Sequence, residues 1–362
     1  MSDRDYILAP ASPALRVSVA LEPDTNILNS LLLLSHPEQR SGFADWVTRT
    51  SAALSPERAH RHQMVVEAMF GALEANLGHP SFPAYLDALE RVSPETLLEQ
   101  VTHVLCEKGM GGSTPLDKET LLHDRQAYLT YVEQLYAEKG VKEELFKAED
   151  FIEAHALFQD PPEMKRVIVS HLRVMWEEYV RPEWERALPM LQEAVEAFQE
   201  VDFSHKTALE ALRVVTGRDM TGIWEEWPET LTFIPSAHIG PYITRLERDG
   251  VARIIFGARL PEGTRLKSPS LSRSELLVRL SAVADDTRLQ ILELLTQHEE
   301  LCAQDIIRLL DLSQSAASRH LRQLTATGFL VERRNEVAKC YRINPQRVDD
   351  TLRALKRFLR AR

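Results

Sequence analysis

Apolar positions recur every three to four residues through most of the first two thirds of the chain, the spacing of one buried helix face. The exceptions come first and last. Arg16–Leu21 alternates Val17, Val19 and Leu21 against polar neighbours, a strand that Pro23 ends. Thr25 then caps a short leucine-rich helix, and Phe43, Trp46 and Val47 mark another. Ser55-Pro56-Glu57 is a helix-start signature for a segment running towards Leu77. Further helices are predicted at 81–92, 94–108, 118–139 and 143–158, with Gly109–Pro115 as a connector. A helical pattern then persists from 163 to 201, where Pro182 and Pro189 should produce two helices meeting at an angle. Residues 204–215 form one more, closed by Gly217. Three β-prone runs follow at 231–234, 242–246 and 252–256, separated by Pro-Ser, Gly-Pro and Asp-Gly turns.

Beyond a Pro/Gly/Ser-bearing linker at 261–270 the pattern changes again. Leu289, Leu292 and Leu295 repeat after Ala284-Asp285-Asp286-Thr287-Arg288, and a short helix follows Glu300-Leu301-Cys302. In the third helix Ser313 has the side chain of an N-cap, Ala317, Leu321 and Leu324 give one narrow apolar face, and Gly328 stops it. Gln314, Ser315, Ser318, Arg319 and Arg322 fall off that face. Gln pairs with adenine and Arg with guanine in the major groove. Taken alone, this helix fits a solvated surface equally well; its neighbours decide. Leu330–Arg334 and Lys339–Ile343 read as a hairpin around Asn335-Glu336. Helix, helix, turn, helix, hairpin is a winged helix-turn-helix.

ADDTRLQIL, ELCAQDI, LSQSAASRHLRQL, TGFLVERR and CYRI, in this order, resemble winged-helix repressors of the ArsR/SmtB family over about Ser272–Leu359, a quarter of the chain. The resemblance implies a dimeric repressor of double-stranded operator DNA. Gln314, Ser315, Ser318, Arg319, His320 and Arg322 would then lie at DNA, with Arg333, Arg334 and Lys339 of the wing on phosphate. His320 either touches phosphate or packs beneath the wing. In this family the first and last helices of the module form the dimer seam. Here Leu276, Leu280 and Val283 supply one stripe, and Val348, Leu352, Leu355 and Leu359 the other.

Charge sharpens this picture. The chain of 362 residues carries a net −11, which is unlike a DNA binder. From Ser268 onward, however, 16 Lys/Arg face 12 Asp/Glu, whereas the rest holds 27 against 42. Phosphate contact needs a local positive field, not a positive protein. Three cysteines make no disulfide framework, no apolar run approaches a membrane span, and MSDRDY is not a signal peptide; a soluble cytoplasmic protein is expected.

Other chemistry is weakly supported. Family members that sense metals through thiolates carry a second cysteine where this chain has Gln304 beside Cys302, and the last helix has Asp349 and Asp350 but no histidine. No metal and no cofactor is therefore expected. Cys302 and Cys340 are either a redox pair or free thiols. His60 and His62 read as a solvated helix face. Trp176, Tyr179, Trp184, Trp224 and Trp227 line either an effector pocket or the core. No nucleophile elbow or glycine-rich phosphate loop appears.

The expected fold is mainly α. A large helical N-terminal domain, 1–260, has strands near 15–22 and 230–257; the linker and a winged-helix domain at 271–362 follow. The expected function is a non-enzymatic repressor, binding an inverted-repeat operator as a homodimer, with the N-terminal domain sensing a small molecule or protein. The alternative is an N-terminal enzyme or docking module that the winged helix localises to DNA.

Overall fold

The computed structural model describes residues 15–35, 37, 42–106, 116–138, 146–217, 228–261, 269–335 and 338–360. The Gly109–Pro115 connector, Trp224, Trp227 and most of the linker lie outside them.

Strand β1 (Arg16–Val19) leads into α1 (Pro23–Ser35), which starts at the proline itself, two residues before Thr25. The Asp24 carboxylate in its first turn is buried and accepts the backbone N–H groups of Gly78 and His79 at 2.7 and 2.6 Å. It thereby ties a distant loop to the helix start. After α2 (Asp45–Ala53), α3 (Pro56–Gln63) begins at a Ser55 N-cap, as its signature predicts. The helix does not continue evenly to Leu77. A π-helical turn at Met64–Ala68 interrupts it before α4 (Phe70–Glu74). Next come α5 (Phe82–Arg91) and α6 (Pro94–Cys106). The expected 118–139 helix is split at Asp124 into α7 (Lys118–His123) and α8 (Arg125–Glu138). Asp124 is extended and accepts from the Ala127 N–H, so it caps the second piece. After α9 (Ala148–Leu157), α10 (Pro161–Met175) and α11 (Arg181–Gln199) are joined by a second π turn, Trp176–Val180. Pro182 falls in the first turn of α11, two residues after the π turn, and Pro189 is held inside the helix.

Helices α1 to α10 share one core, including Trp176, with Tyr179 and Trp184 packed at its edge. These three members of the aromatic group are core or packed on it. His62 overturns the expectation of a solvated face. It is buried, with Nε2 2.9 Å from the Leu31 carbonyl and Nδ1 3.0 Å from Nε2 of His171. The carbonyl can only accept, so His62 carries its proton on Nε2 and His171 donates to the bare Nδ1. His60, by contrast, meets the carboxylates of Asp150 and Glu153.

Burial holds His62 down at about 4. Burial, then His62 and two nearby arginines, takes His171 to about 2. Both stay neutral in the fold, while the unfolded chain protonates them below about 6.5. Their contribution is complete above that pH and is lost as pH falls towards 4, at about 1.4 kcal/mol per pH unit for each histidine. Unfolding free energies measured from pH 7 to 5 should fall less steeply for His171→Gln than for wild type. Equal slopes would refute a buried neutral pair.

Helix α12 (Ala208–Thr216) has a Thr207/Glu210 capping box and ends at Gly217 with φ +67°. Strands β2 (Thr230–Ser236), β3 (Ile243–Arg248) and β4 (Val251–Gly257) complete a sheet in the order β1-β2-β4-β3. β1 and β2 are parallel, as are β2 and β4, so the whole helical domain is the crossover from the first strand to the second. β3 and β4 form a hairpin whose two-residue turn, Asp249-Gly250, has positive φ at both positions. Both sheet faces are covered, which accounts for near-continuous apolar runs instead of alternation. Leu231, Phe233, Ile254 and Phe256 meet α11 and α12. Ile234 and Ile255, on the other face, pack with Ile239, Tyr242 and Ala326 of the C-terminal domain.

That domain comprises α13 (Pro269–Val283), α14 (Asp286–Thr296), β5 (Leu301–Cys302), α15 (Ala303–Leu309), α16 (Gln314–Ala326), β6 (Leu330–Asn335), β7 (Ala338–Ile343) and α17 (Pro345–Arg360). Its strands are ordered β5-β7-β6, all antiparallel. The buried apolar positions of α14 are Ile291 and Leu295, while Leu289 of the expected stripe is exposed. The chain is mainly α, with two small sheets among the described residues.

Candidate nucleic-acid interface

Helix α16 forms where the sequence places it. The Ser313 hydroxyl accepts from the Ala316 N–H, Ala317, Leu321 and Leu324 enter the core, and Gly328, at φ +82°, ends the turn. Arg288 anchors the helix pair beneath. It is buried, and its guanidinium donates to the carbonyls of Ala282 and Ser281 at 2.6 and 2.8 Å, closing the end of α13. Sequence reading took this arginine as part of a helix start and missed its role.

Gln314, Ser318 and Arg322 lie at i, i+4 and i+8 and are exposed, with exposed Ser315 and half-exposed Arg319 in the adjoining row. His320, expected either on phosphate or packed beneath the wing, lies inside. It is 7% exposed, its Nδ1 3.5 Å from Asp285, and burial lowers its pKa. An interior imidazole is not presented to phosphate, so its packing role is the one realised. On the wing, Arg333 and Lys339 are exposed, and Lys339 pairs with Glu332 at 2.9 Å. Arg334 belongs to β6, opposite Lys339 in register.

Cys302 and Cys340 face each other in register across β5 and β7 and form a disulfide, so neither is a free thiol. Gln304 is exposed beside them. Among the described residues no group of three or more His, Cys, Asp or Glu side chains is arranged to hold a metal, and no helix is long and apolar enough to cross a membrane.

The expected seam is uneven. Leu352 and Leu359 of α17 are 52% and 70% exposed, with Leu355 half-buried. On α13, Leu276 is 5% exposed and turned inward; its neighbour Leu277 is 53% exposed instead. Leu280 is half-buried, while Val283 and Val348 pack against the winged-helix core.

One chain of polar groups in the N-terminal domain has the composition of a hydrolytic triad. The Ser30 hydroxyl is 2.8 Å from Nδ1 of His238, whose Nε2 is 3.1 Å from Glu183. Burial opposes the Glu183 charge, but Arg186 and His238 hold its pKa at about 2. Ser30 is buried and its hydroxyl donates to the Asn26 carbonyl, while Trp46 stacks on the His238 ring. Sealed from solvent, this is a structural network.

A three-helix core, a helix with an exposed Gln/Ser/Arg edge and an adjoining basic hairpin define a winged helix-turn-helix module. Residues 285–331 match the family model of bacterial regulatory proteins, arsR family, and form an arsR-family helix-turn-helix domain. Residues 9–256 match the model described as a family of unknown function, DUF5937, and the chain belongs to that family. Similar curated proteins include an arsenic resistance transcriptional regulator of Pseudomonas putida, ArsR1, 41% identical over 64 residues, 18% of this chain and 50% of that protein. The arsenical resistance operon repressor of Escherichia coli K12 is 43% identical over 63 residues, 17% of this chain and 54% of its own. The chain thus spans about half the length of the curated relatives it matches.

Proposed function

We propose that the protein is a transcriptional repressor that binds an inverted-repeat operator as a homodimer and occludes a promoter. Its N-terminal domain, docked on the winged helix, senses an effector. The observation that carries the reading is the exposed row Gln314, Ser318 and Arg322 beside the exposed basic wing, in a chain whose other surface is acidic. Phosphate attracts that one surface and is repelled elsewhere. The dimer rests on the exposed leucines of α17 and on exposed Leu277 of α13, the helix packed against it. Arsenic is named for the relatives; here a disulfide engages Cys302, and Gln304 stands where a second thiolate would be needed.

The test is binding to duplexes selected from a random pool and to unselected duplex, across salt. Selected sequences should be inverted repeats, and log K should fall linearly with log salt, by about 0.9 for each phosphate contacted. Failure to enrich any sequence, or binding indifferent to salt, would overturn the reading.

A further inference from the structure

Helices α3 and α10 of the N-terminal domain border a cavity of about 220 Å³. Arg58 and Arg61 line it on one side, and Ser170, His171 and Val174 on the other. Both helices run into π turns just beyond it, at Met64–Ala68 and Trp176–Val180. Such turns are rare and recur at functional sites. Here the second one sets the pose of Arg58. Glu178 and the Tyr179 hydroxyl, both in that turn, accept from Nη1 of Arg58, the hydroxyl at 2.8 Å, and the guanidinium lies over the Tyr179 ring. Its Nε and Nη2, the edge that grips a carboxylate with two parallel bonds, meet no partner among the described residues. Arg61 pairs at 3.3 Å with Glu57, whose side chain is 83% exposed, and a pair so solvated is readily exchanged.

His171 is 4% exposed, yet it belongs to the cavity wall. Its Nε2 donates to Nδ1 of His62, whose own proton is engaged by the Leu31 carbonyl. That chain of bonds fixes the His171 tautomer with Nδ1 bare, able only to accept, and Nδ1 meets no donor among the described residues. The guanidinium groups call for an anion, and the bare imidazole nitrogen calls for a hydrogen-bond donor. Val174 adds an apolar patch, and the Glu57 carboxylate, also on the wall, repels a second negative charge. We propose that the cavity binds a small monocarboxylate bearing a hydroxyl group, its carboxylate on Arg58 and Arg61 and its hydroxyl donating to Nδ1 of His171. At roughly 30 Å³ for each water-sized group, the volume admits about seven, which suits such an acid. Through the second π turn α10 continues into α11, which packs on α13 of the winged helix. The site thus deepens the effector reading and rests on it for the consequence at DNA, though not for the binding itself.

Calorimetric titration of the full chain compares meta- and para-hydroxybenzoate with benzoate, and γ-hydroxybutyrate with butyrate. The best hydroxy acid should bind about 5- to 100-fold more tightly than its counterpart without the hydroxyl, which would cover Nδ1 of His171 and leave it without a donor. Arg58→Lys keeps the charge but loses the fork, and should weaken binding about tenfold. Ser170→Trp, at an exposed position of the wall, should block the cavity and abolish binding. Circular dichroism checks the fold of each, and the variants cover each other should one fail to fold. The site is overturned if none of the hydroxy acids binds, or if they bind no better than their counterparts. It is equally overturned if binding is undiminished in whichever variants fold. Operator affinity measured with and without the best acid then separates the two readings. An acid that binds while operator affinity stays unchanged leaves the site standing and refutes its role as effector.

Discussion

Arg319→Ala should bind its operator roughly 10–100-fold more weakly than wild type while its affinity for random duplex changes little, in keeping with the 1–3 kcal/mol that one bidentate base contact discriminates. The expectation follows from position. Arg319 is half-exposed on α16, one turn after exposed Ser315, beside the row of Gln314, Ser318 and Arg322. The opposite side of the helix is used up: Ala317, Leu321 and Leu324 fill the core, and His320 and Gln323 are buried. Only the first side can enter a groove, and in it Gln314, Arg319 and Arg322 are the groups able to read a base with two hydrogen bonds. Arg333→Ala on the wing should behave differently, weakening operator and random duplex alike and lowering the salt slope by about one unit. Titrations of both variants on both duplexes at several salt concentrations distinguish the roles. If Arg319→Ala loses affinity equally on the two duplexes, it contacts phosphate and the base-reading assignment is wrong.

The winged helix was legible in the sequence because everything that builds it is local. An N-cap serine, an i, i+4, i+7 stripe and a terminal glycine lie within sixteen residues, and the same residues form α16. The Asp249-Gly250 hairpin was legible for the same reason. The π turns at Met64–Ala68 and Trp176–Val180 were not, because a one-residue widening leaves the apolar period almost unchanged. Pro182 did mark an irregularity, for the π turn ends two residues before it, whereas Pro189 is held inside α11 without ending it.

The site residues divide along the same line. His62 passed for a surface residue because its partners, Leu31 and His171, are 31 and 109 positions away. His320 was left between phosphate and packing, and burial beside Asp285 decides it. The cavity between the N-terminal sheet and the winged helix had no local signal at all. Arg259 follows a strand, Arg279 lies on α13 and Arg347 on α17, and only the docking of two domains brings them together. The Cys302–Cys340 pairing needed the strand register, which periodicity does not supply.

Leu352→Glu/Leu355→Glu should convert the protein to a monomer that stays folded and binds its operator about 10²–10⁴-fold more weakly. The factor is the effective concentration that a second tethered half-site contributes. Leu352 and Leu359 stand on α17 with most of their side chains in water, and Leu277 of the packed helix α13 is equally exposed. Isolated exposed leucines are ordinary, but three on two helices that pack together in one small module are what association would cover. Two modules joined there by a twofold axis would set their α16 helices near one DNA turn apart, about 34–36 Å, matching an inverted repeat. Leu352 is not part of the core, so a carboxylate there costs the monomer little, and the fold can be checked by circular dichroism. Molar mass by light scattering, for wild type and the double variant, decides the matter. A monomeric wild type that still binds an inverted repeat tightly refutes the dimer. A double variant that remains dimeric shows that the seam lies elsewhere, and the N-terminal domain, joined directly to α13, is then the surface to substitute next.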